Sequence, residues 1–163
     1  MGNGQHSNNP WLQEMPDPVT RCGWGNYLAL PVTFDGTRKF IAHEGLADGE
    51  LADVSLNDQK LRVPLIKQFA QGPDTFGLAL GYGRTATGRA GLGVGVNVNP
   101  WLKTDADGLI QYYAGGVSVS GKMGKEDHFS CVQYHHTMGV TAEDSKTKET
   151  INADEAATVF MTY

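Results

Sequence analysis

The chain has no Cys-x-x-Cys pair, no cluster of lysine and arginine, and no apolar run near the roughly 20 residues that a membrane-spanning helix needs. Each absence removes a class of function. Without a Cys-x-x-Cys pair, no iron–sulfur cluster is held by this piece alone. With a net charge of −5 and its 13 basic residues scattered, the chain has no groove for a phosphate backbone, so nucleic acid is not an expected partner. The two cysteines, Cys22 and Cys131, are far apart and pair only if folding brings them together. The opening MGNGQHSNNPW has neither a positive start nor an apolar stretch, so it does not read as a secretory signal. Gly2 is followed by His6 where myristoylation wants Ser or Thr. A methionine set directly before a mid-domain motif suggests a piece of a larger polypeptide, either an excised domain or the product of a split gene.

What is present suits one folded domain. The 163 residues are 40% hydrophobic and 19% charged, a balance that buries a core rather than staying disordered. The 21 glycines favour the many tight turns of a small barrel. No internal repeat is visible. Residues 1–20 are polar and carry Pro10, Pro16 and Pro18, which predicts an extended lead-in. Trp24 to Thr33 predicts a first strand ending near Pro31, and Asp35 to Lys39 a turn. Phe40 to His43 is a short apolar segment, with room for about one helical turn at Leu46-Ala47-Asp48.

The most informative stretch runs from Gly45 to Gly83. Leu51, Asp53 and Ser55 alternate with Ala52, Val54 and Leu56, and Leu61, Val63 and Leu65 repeat the period of two. Strands with one buried face have that period. Asn57-Asp58 between them accepts a left-handed backbone, so the two runs predict an antiparallel hairpin with Val54, Leu56, Leu61, Val63 and Leu65 in the core. A turn at Gly72-Pro73-Asp74 leads to a third strand over Thr75–Leu80. Tyr112 to Ser120 and His128 to Tyr134 predict later strands, and the polar residues from Thr141 onward read as a linker or arm.

The glycine-rich stretch Gly81 to Asn97 invites a nucleotide-binding reading, which its details oppose. A phosphate loop needs Gly-Lys-Ser/Thr, and Gly88-Arg89-Ala90 stands there instead, without the lysine charge or the magnesium-binding hydroxyl. Gly81-Tyr82-Gly83 is followed by Arg84-Thr85-Ala86, without the third glycine of a dinucleotide fingerprint, and no amphipathic helix follows. A mobile barrel loop whose glycines permit positive φ is the plainer reading.

Other constellations are thin. His128, Cys131, His135 and His136 are all metal-capable, but His128 and Cys131 are an odd number apart and point to opposite faces of a strand. A closed zinc site needs about four converging ligands, so no metal site is expected. A buried cysteine with two polar histidines beyond the strand end is the expected arrangement, and His135 or His136 suits an interface. Ser55, Ser118, Ser120 and Ser130 lie in no nucleophile elbow, so no catalytic residue is assigned. Asp48 and Glu50 straddle a turn that they solvate or cap. Trp11, Trp24 and Trp101 are expected in core or interface packing, with Trp11 at an interface because its surroundings are polar and open.

The order Asp48-Gly49-Glu50, hairpin, Pro73-Asp74-Thr75, strand, Gly81-Tyr82-Gly83 resembles the C-terminal domain of the molybdopterin oxidoreductases. Asn8 to Glu14 and Pro16-Asp17-Pro18 resemble the approach to that domain. Asn97-Val98-Asn99-Pro100 and Val117-Ser118-Val119 resemble its closing elements, so residues 8–136 are covered. With NPWLQEMPDP and CVQYHH at its two ends, the chain is most similar to the molybdopterin-oxidoreductase-like subunit of bacterial alternative complex III.

The resemblance implies a mainly β fold, a double-psi β-barrel with short helices and long loops, over residues 21–140, between the lead-in 1–20 and an arm at 141–163. It implies a structural and interaction domain of a quinol-oxidising respiratory complex. The partners would be other subunits of that membrane-bound electron-transfer assembly, and upstream and iron–sulfur domains of the same polypeptide. The place would be the periplasmic side of the bacterial inner membrane, after export by a twin-arginine signal. In cofactor-bearing relatives the same barrel grips molybdopterin guanine dinucleotide, and Gly83, Arg84, Thr85, Asn97 and Asn99 occupy the gripping positions here. Arg84 would meet a phosphate and an asparagine amide the guanine edge. The longer loop with Arg89-Ala90-Gly91, and the lack of a Gly-x-Pro segment with its lysine between Gln111 and Val117, favour a domain with no cofactor of its own. Iron–sulfur clusters and haem would then sit elsewhere in the assembly, and dinucleotide binding is the alternative.

Overall fold

The structure, a computed structural model, describes residues 4–34, 40–42, 45–127, 129–131, 142–143 and 150–151. The chain divides into two compact units, Met1–Cys131 and Val132–Tyr163. The first is mainly β, built on one mixed sheet with very little helix. Its strands are β1 (Leu28–Phe34), β2 (Phe40–Ala42), β3 (Leu51–Leu56), β4 (Gln59–Gln68), β5 (Gly77–Leu78), β6 (Lys103–Thr104), β7 (Ile110–Gln111) and β8 (Ser118–Ser120). The sheet runs β2-β1-β4-β3-β8 with β5 on β1, and β6 and β7 pair separately. Among the described residues these ladders form an open path and do not close into a ring.

The hairpin stands as expected. β3 and β4 are antiparallel from Leu51 opposite Pro64 to Leu56 opposite Gln59, turning at Asn57-Asp58. Both turn residues have positive φ, 48° and 63°, the backbone of a two-residue turn whose twist matches its strands. Ala52, Val54, Val63 and Leu65 form the centre of the core with Leu28, Leu30 and Leu46. Leu56 is buried as well, whereas Leu61 is only half-buried. On the other face of the sheet, Ala29 and Ile66 pack with Cys22, flanked by Tyr27, Phe129 and Cys131.

Two prolines lie inside strands, where a missing N–H ordinarily breaks a ladder. Leu65 N donates to Glu50 O and Gly49 N to Leu65 O, both at 2.9 Å, so Leu51 and Pro64 form a pair without mutual hydrogen bonds. The edge of Pro64 that lacks the N–H therefore faces away from β3. β4 pairs with β3 through Pro64, and from Leu65 to Gln68 it pairs in parallel with Leu28–Pro31 of β1. Beyond Pro31, β1 pairs antiparallel with β2, Val32 opposite Ala42. The first strand thus runs through Pro31, which marks a change of partner and not the strand end expected.

Other expectations are corrected. The third strand is only Gly77–Leu78, held against β1, and the strand expected over Tyr112–Ser120 is only β8, antiparallel to β3. Among the described residues, Tyr112 to Val117 has no ladder partner to extend it. The lead-in is not wholly extended, because Asn9 caps a five-residue helix, α1 (Pro10–Glu14), accepting from Trp11 N and Leu12 N through Oδ1. Asn8-Asn9-Pro10 is a helix-start signal that the count of prolines obscured. The turn around Asp48 is described from Gly45 onward, where Glu50 N bonds Ala47 O and Ala47 N bonds Glu50 Oε2. Asp48 Oδ1 accepts from Lys67 N at 2.7 Å, so both carboxylates fasten the turn, as expected. His43 and the residues 35–39 lie outside the described residues. In the second unit, β9 (Ala142–Glu143) and β10 (Thr150–Ile151) make a short antiparallel pair within the expected arm.

Candidate functional site

The expected site residues lie along the glycine-rich stretch, which the chain folds against itself. Gly83 has φ of +68°, and a β-carbon there would stand on the backbone nitrogen of Asn97, while Gly83 N donates to Val94 O at 2.9 Å. Gly83 and Asn97 are therefore brought together. Asn97 Oδ1 accepts from Asn99 N at 3.1 Å and Asn99 Nδ2 at 3.0 Å, which opens the 3-10 turn Asn99–Trp101. Arg84 donates from Nε to Gly81 O at 2.8 Å and from Nη2 to Gly4 O at 3.1 Å. Thr85 is exposed on the loop beside it.

The remaining glycines let the lead-in approach. A β-carbon on Gly4 would strike Gly81, one on Gly88 would strike the Asn8 amide, and one on Gly91 would press on Ser7 and Thr87. The stretch is neither helical nor paired into a long strand, as expected, yet it is fixed in place by close backbone contacts.

Sequence reasoning missed the residue that organises this stretch. Asn26, buried before β1, donates through Nδ2 to Ala79 O at 2.8 Å and Val96 O at 3.0 Å, and accepts from Val96 N at 2.9 Å. One amide thus replaces a strand pairing between the two ends of the loop. The only sequence signal was an Asn between Gly25 and the apolar run, too common to single out.

At the expected positions, several of the polar groups are already engaged within the chain. Bound anions are held by several converging amides or cations. Here the Arg84 head serves two of the chain's own carbonyls, the Asn97 carbonyl oxygen serves Asn99, and Gly83 packs on backbone. Among the described residues no group of three or more His, Cys, Asp and Glu could hold a metal. His128, His135 and His136 lie outside the described residues. No helix among the described residues is long and apolar enough to cross a membrane.

Two surface regions hold large apolar groups. Trp11 is 83% exposed, and Met15, Val19 and Trp24 beyond it border a pocket of about 270 Å3. On the side of the core, a cleft of about 600 Å3 is lined by Leu56, Phe76, Leu80, Trp101, Tyr112 and Tyr113. Tyr113 is 81% exposed, and Leu109 and Ile110 near it are exposed too. Trp101 packs on the core, Trp24 is exposed at a pocket rim, and Trp11 stands exposed. Comparison with protein-family models finds no match, and comparison with curated proteins finds no significant similarity.

Proposed function

We propose that this chain is a structural and interaction domain of the molybdopterin-oxidoreductase-like subunit of a quinol-oxidising complex of the alternative complex III type. Its finer fold would be a double-psi β-barrel, bearing no cofactor of its own and lying on the periplasmic side of the inner membrane. Other subunits of the complex, and upstream and iron–sulfur domains of the same polypeptide, would cover its surface. The observation that supports the reading is that the groups a dinucleotide would need are taken up within the chain, Arg84 by the Gly4 carbonyl of the lead-in and Asn97 by Asn99. The exposed Trp11, Tyr112 and Tyr113 and the open apolar cleft suit protein contacts, since aromatic groups dominate interface energetics. The parallel β1–β4 pair, and two strands that change partner at prolines, fit a sheet curling toward a barrel.

Molybdenum analysis and pterin extraction of the purified intact assembly test it. Both are expected near nil, and Arg84→Ala with Arg89→Ala should leave quinol oxidation nearly unchanged. Stoichiometric molybdenum that disappears in the double variant would make this domain a molybdopterin guanine dinucleotide site instead.

A further inference from the structure

Cys22 and Cys131 are separated by most of the chain, and folding sets them opposite one another in an antiparallel bridge. Gly23 N donates to Ser130 O at 3.1 Å, which makes the two cysteines a pair without mutual hydrogen bonds, the kind in which α-carbons stand about 4.5 Å apart. Disulfides span α-carbon separations of roughly 4.4–6.8 Å. The side chains converge as well. Cys22 Sγ donates to Thr20 O at 3.6 Å, Cys131 Sγ donates to the same oxygen at 3.5 Å, and the two thiols contact each other. Both are thiols in this structure.

We propose that Cys22 and Cys131 are a disulfide-forming site that latches the Phe129–Cys131 segment to the residues leading into β1. The oxidant is a small or protein disulfide. Cys131, the more exposed of the two, attacks as thiolate one sulfur of the donor disulfide, breaking its S–S bond and releasing one thiolate that takes up a proton. Cys22 then loses its proton and attacks Cys131 Sγ, expelling the second donor thiolate, which is protonated in turn. The two cysteines lose two electrons and two protons, and the donor leaves as two thiols. Burial, then the Cys131 neighbour, pushes the Cys22 thiol up, so Cys22 is a poor first nucleophile, and its role is to resolve the mixed disulfide. Cys22 also lines the pocket beside Thr20 and Tyr27.

The bond would close a loop over nearly the whole first unit, and stabilisation from such a crosslink grows with loop length. The latch needs only these two thiols, whatever assembly carries the chain.

The test incubates the full-length chain with oxidised glutathione, then alkylates it under denaturing conditions and maps the peptides without reduction. Expected are the loss of both alkylatable thiols, a peptide linking Cys22 to Cys131 within one chain, and a raised unfolding midpoint that returns on adding dithiothreitol. Cys22→Ser should instead accumulate glutathione on Cys131. Thiols that both stay alkylatable, links found only between chains, or glutathione adducts on the wild type without the internal link would each overturn the proposal. The wild-type map alone decides the matter if a single-cysteine variant fails to fold.

Discussion

Asp53 and Arg62 face each other across the β3–β4 hairpin, with Arg62 Nε 2.7 Å from Asp53 Oδ1 and Arg62 Nη2 3.0 Å from Oδ2. Lys60 Nζ approaches Oδ2 at 2.8 Å. The three lie on the face of the sheet away from Val54 and Val63, since neighbouring strand residues point to opposite sides. The fork of Arg62, and then the Lys60 ammonium, hold the Asp53 carboxyl well below the usual carboxylate range.

That shift fixes a pH dependence. An unfolded Asp titrates near 3.9, and the folded group titrates lower, so the unfolded chain binds the proton first as acid is added. The contribution is complete above about pH 4 and is lost as pH falls toward the folded pKa. Asp53→Asn should therefore lower the urea midpoint at about pH 7 and show a shallower loss of stability below about pH 4. Equal acid dependence in the two proteins would refute the assignment.

Asn26 holds both ends of the glycine stretch, and its loss strands the Ala79 and Val96 main-chain groups. Asn26→Ala should cost about 3 kcal/mol in equilibrium unfolding. The Val96 amide should lose protection from hydrogen exchange selectively. A neutral Asn26→Ala would show that the loop is held in some other way.

The turn residue Asp58 has φ of 63°, a conformation that side chains resist and glycine adopts freely. Asp58→Gly creates the Asn-Gly pair favoured in such turns and should stabilise the protein by about 1 kcal/mol. A loss of stability on this substitution would argue against the turn geometry.

Core depth along β4 differs between neighbours on one face. Val63→Ala removes fully buried methyl groups and should cost about 2 kcal/mol. Leu61→Ala, at a half-buried position, should cost about half as much per buried group removed, because less of its area leaves water on folding. Denaturant midpoints of the two variants give the comparison directly.

The hairpin was legible because its cause is local. Alternation from Leu51 to Leu65 around Asn57-Asp58 dictates a buried face and a left-handed turn before any distant contact forms. A glycine-rich stretch without helix was legible for the same reason. Tertiary structure alone decided the rest. Whether Pro31 ended a strand depended on whether a neighbour needed an N–H there, and it lay where β1 exchanges β4 for β2. That Arg84 reaches the carbonyl of Gly4, eighty residues away in sequence, could not be read from its neighbours. Cys22 and Cys131 became neighbours only through the packing of Phe129–Cys131 beside Ile66 and Ala29. Periodicity reports how a residue faces its own strand. Which distant backbone reaches it is set by loop closure and packing, and no short window of sequence carries that information.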